Sequence, residues 1–274
     1  MSWLKKKKII IVIFTLFIFL VISSCSTVPI TGRKRVALLP AGNLATMALQ
    51  SYKQLLNKSR LSTDREKVML VKRVGRRIAM AAEVFMKEEG LEKALKNFKW
   101  EFNLIENNKV VNAFCMPGGK VAVYTGILPI AMNETGLAVI MGHEVAHAIA
   151  KHGNERMSQL LLVQLGGVAL DVATRNKPNE TRNLFRLAYG VGSQLGLLLP
   201  YSRTHESEAD HIGLVLMASA GYDPGAAPEF WKRMAKKGGK KVPQFLSTHP
   251  APEKRVERLN KLIPEVKRKH YRKK

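Results

Sequence analysis

Apolar and polar positions along the chain follow two different periods. Between residues 43 and 58 and between 64 and 89, apolar residues recur every three to four positions with Lys, Arg and Glu between them. That spacing predicts two amphipathic helices. Phe98, Trp100, Phe102 and Leu104 then alternate strictly with Lys99, Glu101 and Asn103, and Asn107-Asn108 follows before Val110-Val111, so a short hairpin is expected. Lys120 to Tyr124, after Met116-Pro117-Gly118-Gly119, reads as a third strand. Asn133-Glu134 is a cap-like start to a helical run through Leu137, Val139, Ile140, Val145, Ala146 and Ile149 to Gly153, and a later helix opens at Tyr201 and ends near Gly221. The result is a small sheet flanked by helices, with no internal repeat.

Two apolar runs, Met157 to Leu170 and Leu187 to Ser202, are uncharged for fourteen and sixteen residues, with the polar stretch 171–186 between them. They are too short to span a bilayer, and are expected as helices or a hairpin closing a cleft, a lid given Gly166, Gly167, Gly190, Gly192 and Gly196. At the start of the chain Lys5 to Lys8 precede the apolar residues 9–22, and Ser23-Ser24-Cys25 supplies small residues. Residues 1–24 therefore read as a signal segment. Ile22-Ser23-Ser24-Cys25 resembles a bacterial lipobox, which implies cleavage before Cys25 and lipidation of its thiol. An uncleaved signal anchor is the alternative, and both place residues 26–274 outside the cytoplasm. Residues 25–41, marked by Pro29, Gly32 and Pro40, are expected as a tether, residues 42–264 as the folded domain, and 265–274 as a basic tail.

The 274 residues, 46% hydrophobic, exclude a disordered chain, a collagen or a disulfide scaffold. The formal net charge is +24, and lysines cluster at Lys236-Lys237 with Lys240-Lys241 and again from Lys267 to Lys274. These runs suit anionic lipid headgroups or simply a solvated surface. Nucleic acid is not expected, because no recognition motif is present. With Cys25 modified, Cys115 is the only other thiol, so the fold stands without a disulfide and Cys115 reads as a packing residue.

Chemistry concentrates at His143-Glu144-Val145-Ala146-His147. On a helix, positions i and i+4 lie about 40° apart, so both imidazoles project from one face and reach one ion. Glu144, one residue along, reaches a water on that ion as general base. A third histidine ligand would require Gly at 150 and His at 153, where the chain has Ala150 and Gly153. The third ligand is instead expected from the helix opening at Tyr201, where Glu206 and Asp210 share a face. Glu206 is assigned as ligand and Asp210 as acceptor of a ligand ring N–H. His205, Glu208 and His211 are the competitors, and Arg203 either pairs with a carboxylate or substrate or is a solvated helix-start residue. His152 lies about 140° from His147 on a continuous helix and is expected at the surface with His270.

These motifs resemble those of the gluzincin peptidase family that contains the CAAX prenyl endopeptidases, the heat-shock membrane protease HtpX and the mitochondrial Oma-type protease, in its bacterial lipoprotein branch. Cys25 to Arg33 is similar to that branch's mature N-terminus, and Asn112-Ala113-Phe114 with Pro117-Gly118-Gly119 and Thr125-Gly126 to the strand beside its active site. The resemblance implies an α+β, predominantly helical zincin-like metalloprotease domain. It implies one Zn2+ per chain held by His143, His147 and Glu206, with Glu144 and Asp210 assisting catalysis. It also implies protein or peptide substrates bound as an extended strand on Gly119, Lys120, Val121 and Ala122 as an edge template, although Pro117-Gly118-Gly119 reads equally as an ordinary turn. His249, in Ser247-Thr248-His249-Pro250, would come over the zinc to stabilise an oxyanion or to block the site, or else caps the next helix. The expected role is proteolysis of misfolded or unassembled envelope proteins, with a chaperone-like binding module as the alternative. The expected location is the bacterial envelope, lipid-anchored in the outer membrane and facing the periplasm, since Ser26 and not Asp follows Cys25.

Overall fold

The computed structural model describes residues 25–237, 243–249 and 254–271. The expected signal segment and the basic positions 240, 241 and 272–274 lie outside the described residues. The chain begins with a two-stranded antiparallel hairpin, β1 (Cys25–Thr27) and β2 (Lys34–Val36). Helices α1 (Ala41–Asn57), α2 (Arg65–Glu88) and the short α3 (Glu92–Leu95) lead to strands β3 (Glu101–Ile105), β4 (Ala113–Met116) and β5 (Lys120–Tyr124). The short α4 (Leu128–Ala131) precedes α5 (Glu134–Ile149). Helices α6 (His152–Thr174) and α7 (Asn179–Ser193) form a hairpin, and a π-turn at Gln194–Leu198 passes into α8 (Leu199–Ser219). Helices α9 (Ala227–Lys237), α10 (Gln244–Thr248) and α11 (Arg255–His270) complete the described chain.

Helix α5 is the centre of the core. Its apolar residues Leu137, Ile140, Met141, Val145 and Ala146 are fully buried, because α2, α8 and β4 all pack on it. The Asn133 side chain caps it by accepting from Gly136 N–H at 2.9 Å. Glu134 in the first turn suits the positive end of the helix dipole and pairs with Arg73 at 2.8 Å. At the other end the buried Arg35 guanidinium donates to the Ala150 carbonyl.

The segment expected as a tether is thus folded. Val28 is buried, Leu38 N–H donates to Ser158 Oγ at 2.9 Å, and Asn154 Nδ2 donates to the Leu39 carbonyl at 2.7 Å. The basic tail likewise continues α11 to His270, with Lys267 paired to Asp223 at 2.7 Å.

The expected hairpin between the 98–104 and 110–111 segments does not form. The sheet runs β3-β5-β4, with β3 parallel and β4 antiparallel to β5. Val121, Ala122 and Val123 are completely buried, and a strand apolar on both faces belongs in the middle of a sheet. This corrects the substrate template: Gly119, Lys120, Val121 and Ala122 are not at an edge, because the backbone of Lys120–Tyr124 is paired on both sides. Among the described residues the edge strand near α5 is β4. Gly118 and Gly119 form the β4–β5 turn with φ +85° and +80°, and a Cβ on Gly119 would meet the Trp100 ring at 2.7 Å.

Of the two runs expected as a lid, the first lies within α6, which is longer than it, and the second spans the end of α7, the π-turn and the start of α8. Helix α6, at 23 residues, is long and apolar enough to cross a membrane by length and composition, which corrects the reading that this run is too short. Only 17% of its most apolar window is buried, and Leu165, Val168 and Val172 are exposed.

Helices α5 and α8 cross at Gly142 and Gly213, where a Cβ on Gly213 would meet His143 N at 3.0 Å and a Cβ on Gly142 the Gly213 carbonyl oxygen at 2.9 Å. Neither helix backbone can yield locally. Gly213→Ala is therefore expected to push the helices apart and to cost about 1–3 kcal/mol in urea unfolding, with weaker metal retention. Wild-type stability would mean that the crossing is not as tight as described.

Candidate metal centre

Helix α5 presents His143 and His147 one turn apart, as their spacing dictates, and α8 brings Glu206 opposite them. His143 Nε2 lies 3.1 Å from His147 Nε2 and 3.3 Å from Glu206 Oε2, and His147 Nε2 is 3.4 Å from Glu206 Oε1. His249, at the end of α10, adds a fourth donor: its Nδ1 is 3.0 Å from Glu206 Oε1 and 3.4 Å from His143 Nε2. One ligand atom from each of these four residues falls within 4.8 Å of the others. His143 and Glu206 are buried, and among the described residues Glu206 Oε2 has no hydrogen-bond partner. A cluster of lone pairs facing inward with a buried carboxylate oxygen unsatisfied fits a divalent cation of nitrogen and oxygen preference, zinc above all.

Glu144 stands beside the cluster, 3% exposed, with His249 Nε2 3.4 Å from its Oε1. Burial raises its pKa, and the neighbouring His249, His143 and the Cys115 backbone N–H pull the other way. Burial also lowers the His147 pKa far below the usual imidazole value. At His143 burial again disfavours charge, but Asp210 and Glu206 outweigh it and bring the group up to about 9. Burial and Glu144 push the Cys115 thiol up, consistent with a packing role and not a nucleophile.

Asp210 accepts from the outer side of the first histidine, its Oδ1 3.2 Å from His143 Nδ1. Its own charge is met by Arg255 Nε at 3.1 Å and Arg258 Nη2 at 3.2 Å. Arg255 is 1% exposed and its guanidinium lies 3.3 Å from the centroid of the Trp231 ring. Arg255 went unrecognised in the sequence, where it is one cation among many in the C-terminal segment.

The competitors on α8, His205, Glu208 and His211, do not join the donor cluster, and the first two have partners of their own. His205 Nε2 is 3.0 Å from Glu155 Oε2, and Glu208 Oε2 is 3.0 Å from His152 Nε2. His152 itself is 1% exposed, which corrects its expected surface position. The helix does not continue: Lys151 takes φ +52° and ψ +32°, and the break turns His152 back until its Nδ1 is 2.9 Å from His147 Nδ1. Arg33 closes the group, donating to Glu155 at 2.7 Å and to Glu208 at 2.7 Å. Against the cost of burial, these partners hold Glu155 and Glu208 down to about 2. A sequence signal existed: His205 and Glu208 sit in a helix whose later residues are apolar, where a charge needs a partner.

Beside Glu144 a cavity of about 200 Å³ opens between β4, α1 and the end of α2, lined by Leu44, Ala45, Met86, Phe98, Cys115 and His147 among others. Residues 71–263 match the model of peptidase family M48. The chain is 34% identical over 248 residues to the mitochondrial metalloendopeptidase OMA1 of Schizosaccharomyces pombe, covering 87% of this chain and 66% of that one. It is 30% identical to the Homo sapiens OMA1, covering 92% and 48%, and 26% identical to the beta-barrel assembly-enhancing protease of Escherichia coli, covering 89% and 49%. The chain spans between about a third and two thirds of the length of the curated relatives it matches. These matches overturn the expected outer-membrane lipoprotein location, since the yeast, plant and animal relatives are mitochondrial proteins. That expectation rested on the lipobox-like Ile22 to Cys25 and on Ser26 after a cationic, apolar start, and such short signals do not by themselves specify the membrane addressed.

Proposed function

The chain belongs to peptidase family M48, and on that premise we propose that it is a zinc-dependent endopeptidase acting on misfolded or unassembled membrane proteins. The convergence of His143, His147, Glu206 and His249 within 4.8 Å, with Glu144 beside them, carries this reading. The relatives' names, metalloendopeptidase and beta-barrel assembly-enhancing protease, support the reaction and the class of client.

His143, His147 and Glu206 would hold the ion. When bound, zinc supplies Lewis-acid chemistry, acidifying a water and polarising a peptide carbonyl. Glu144 takes the proton of the attacking water and returns it to the leaving amine nitrogen, a role suited to a carboxylate whose burial raises its proton affinity. Asp210, accepting His143 Nδ1–H, fixes that proton on Nδ1 and turns the opposite nitrogen towards the donor cluster as the one that would bind the ion. Substrate would lie along the free edge of β4 by backbone pairing, with an apolar side chain in the adjoining cavity. Main-chain recognition asks little of sequence, which suits clients recognised by their unfolded state.

His249 occupies the place where a fourth ligand belongs, and we read it as blocking the open position until substrate displaces it. His249→Ala is expected to raise peptidase turnover several-fold while zinc stays bound through the other three donors. A fall in turnover would instead assign His249 to oxyanion stabilisation.

The test of the whole reading measures zinc content and casein cleavage by the full chain in detergent, with chelation and zinc restoration. About one zinc per chain, with cleavage lost on chelation and regained on restoration, is the expected result. Zinc without cleavage, together with stable capture of unfolded casein, would favour the binding-module alternative.

A further inference from the structure

We propose that His152 and Glu208 are positioning residues that fix the ring of His147, anchored at the far end by Arg33 of the β1–β2 hairpin; the proposal rests on the reading of His143, His147 and Glu206 as zinc ligands. Each link is a short contact between buried or half-buried groups. His147 Nδ1 is 2.9 Å from His152 Nδ1, and His152 Nε2 is 3.0 Å from Glu208 Oε2. Glu208 Oε1 accepts from Arg33 Nε at 2.7 Å and from Thr31 Oγ1 at 3.0 Å. Arg33 also forks onto Glu155, Nη1 and Nη2 lying 2.7 and 2.8 Å from its two oxygens. His205 stacks on His152 at 4.3 Å and 16°, which holds the relay ring in plane.

Hydrogen-bond polarity sets the direction of the chain. A carboxylate only accepts, so His152 Nε2 carries the proton that faces Glu208. The neutral ring then offers a lone pair at Nδ1, and His147 must donate its Nδ1–H to it. That leaves the His147 Nε2 lone pair pointing at His143 and Glu206, in the donor cluster. The two metal-binding histidines are therefore held differently: His143 meets the Asp210 carboxylate directly, whereas His147 reaches a carboxylate through an intervening imidazole. The left-handed Lys151 that ends α5 is what permits this, and the N-terminal hairpin becomes part of the metal site through Arg33.

The test uses the full chain and reads the metal site independently of catalysis. Zinc affinity by chelator competition, the absorption spectrum of the cobalt(II)-substituted protein and the Tm of the metal-free form are measured for wild type, His152→Phe and Glu208→Gln. His152→Phe is expected to weaken zinc about 10- to 100-fold and to shift the cobalt bands, and Glu208→Gln, which keeps His152 and an amide oxygen that still accepts, to weaken it far less. Zinc affinity within about twofold of wild type with an unchanged cobalt spectrum, even with a lowered Tm, would reduce His152 to packing and overturn the proposal. Where a variant does not fold, nitrogen-15 spectra of the zinc-loaded wild type decide the matter: a proton on His147 Nδ1 is expected, and a proton on Nε2 overturns it. Wild type that binds no zinc sinks the reading underneath; zinc binding without hydrolysis sinks the peptidase alone and leaves the relay intact.

Discussion

Glu144→Gln is expected to retain zinc at the wild-type level while losing about 10²- to 10⁴-fold in peptide hydrolysis. The substitution keeps the shape of the side chain and removes only its capacity to take a proton. Glu144 is outside the set of four converging donors, so the substitution removes no ligand. Among the described residues its buried Oε1 has no hydrogen-bond partner, only His249 Nε2 at 3.4 Å, which suits a group that acts more than one that holds structure. The checks are zinc stoichiometry and casein turnover on the same preparation. Turnover near wild type would remove Glu144 from the mechanism, and loss of zinc together with turnover would make it a ligand.

The second large effect concerns folding. Arg255→Met is expected to cost about 3–5 kcal/mol in urea unfolding, because it leaves the charge of the buried Asp210 carboxylate met only by His143 Nδ1–H and the partly exposed Arg258. Methionine approximates the length of the stem but not the planar group stacked on Trp231. Adding Asp210→Asn to that variant removes the uncompensated charge, and the double variant is expected to recover part of the loss. Additive losses in that cycle would show that Arg255 stabilises through packing on Trp231 and not through Asp210.

Much of the chemistry was legible because it is local. His143, Glu144 and His147 lie within one and a half turns of a helix, and helix geometry alone aims both imidazoles at one point. Asn133 as cap and the apolar periods placed α2, α5 and α8 to within a few residues. Glu206 and Asp210 could be paired in advance for the same reason, being one turn apart on a single helix. The small sheet followed from periodicity, whereas the short helices α3, α4 and α10 and helix α9 were not read from it. The order of strands within that sheet did not.

Where the outcome depended on which distant segments meet, the sequence alone pointed elsewhere. Strand order turned on the double-sided burial of Val121 to Val123, so the expected edge became the centre and β4 the free edge. His152 was assigned by extending a helix that Lys151 ends, and one left-handed residue moved it from the surface to the back of His147. Arg33, Glu155, Glu208 and Arg255 are separated in sequence by up to 222 positions' worth of chain. Burial makes each charge costly, and only the packing of the hairpin, α6, α8 and α11 around α5 supplies the partners that offset that cost. The sequence by itself determined the residues that can bind and act on an ion, since spacing along a helix is covalently fixed; tertiary structure decided how those residues are held, since that depends on contacts no local period encodes.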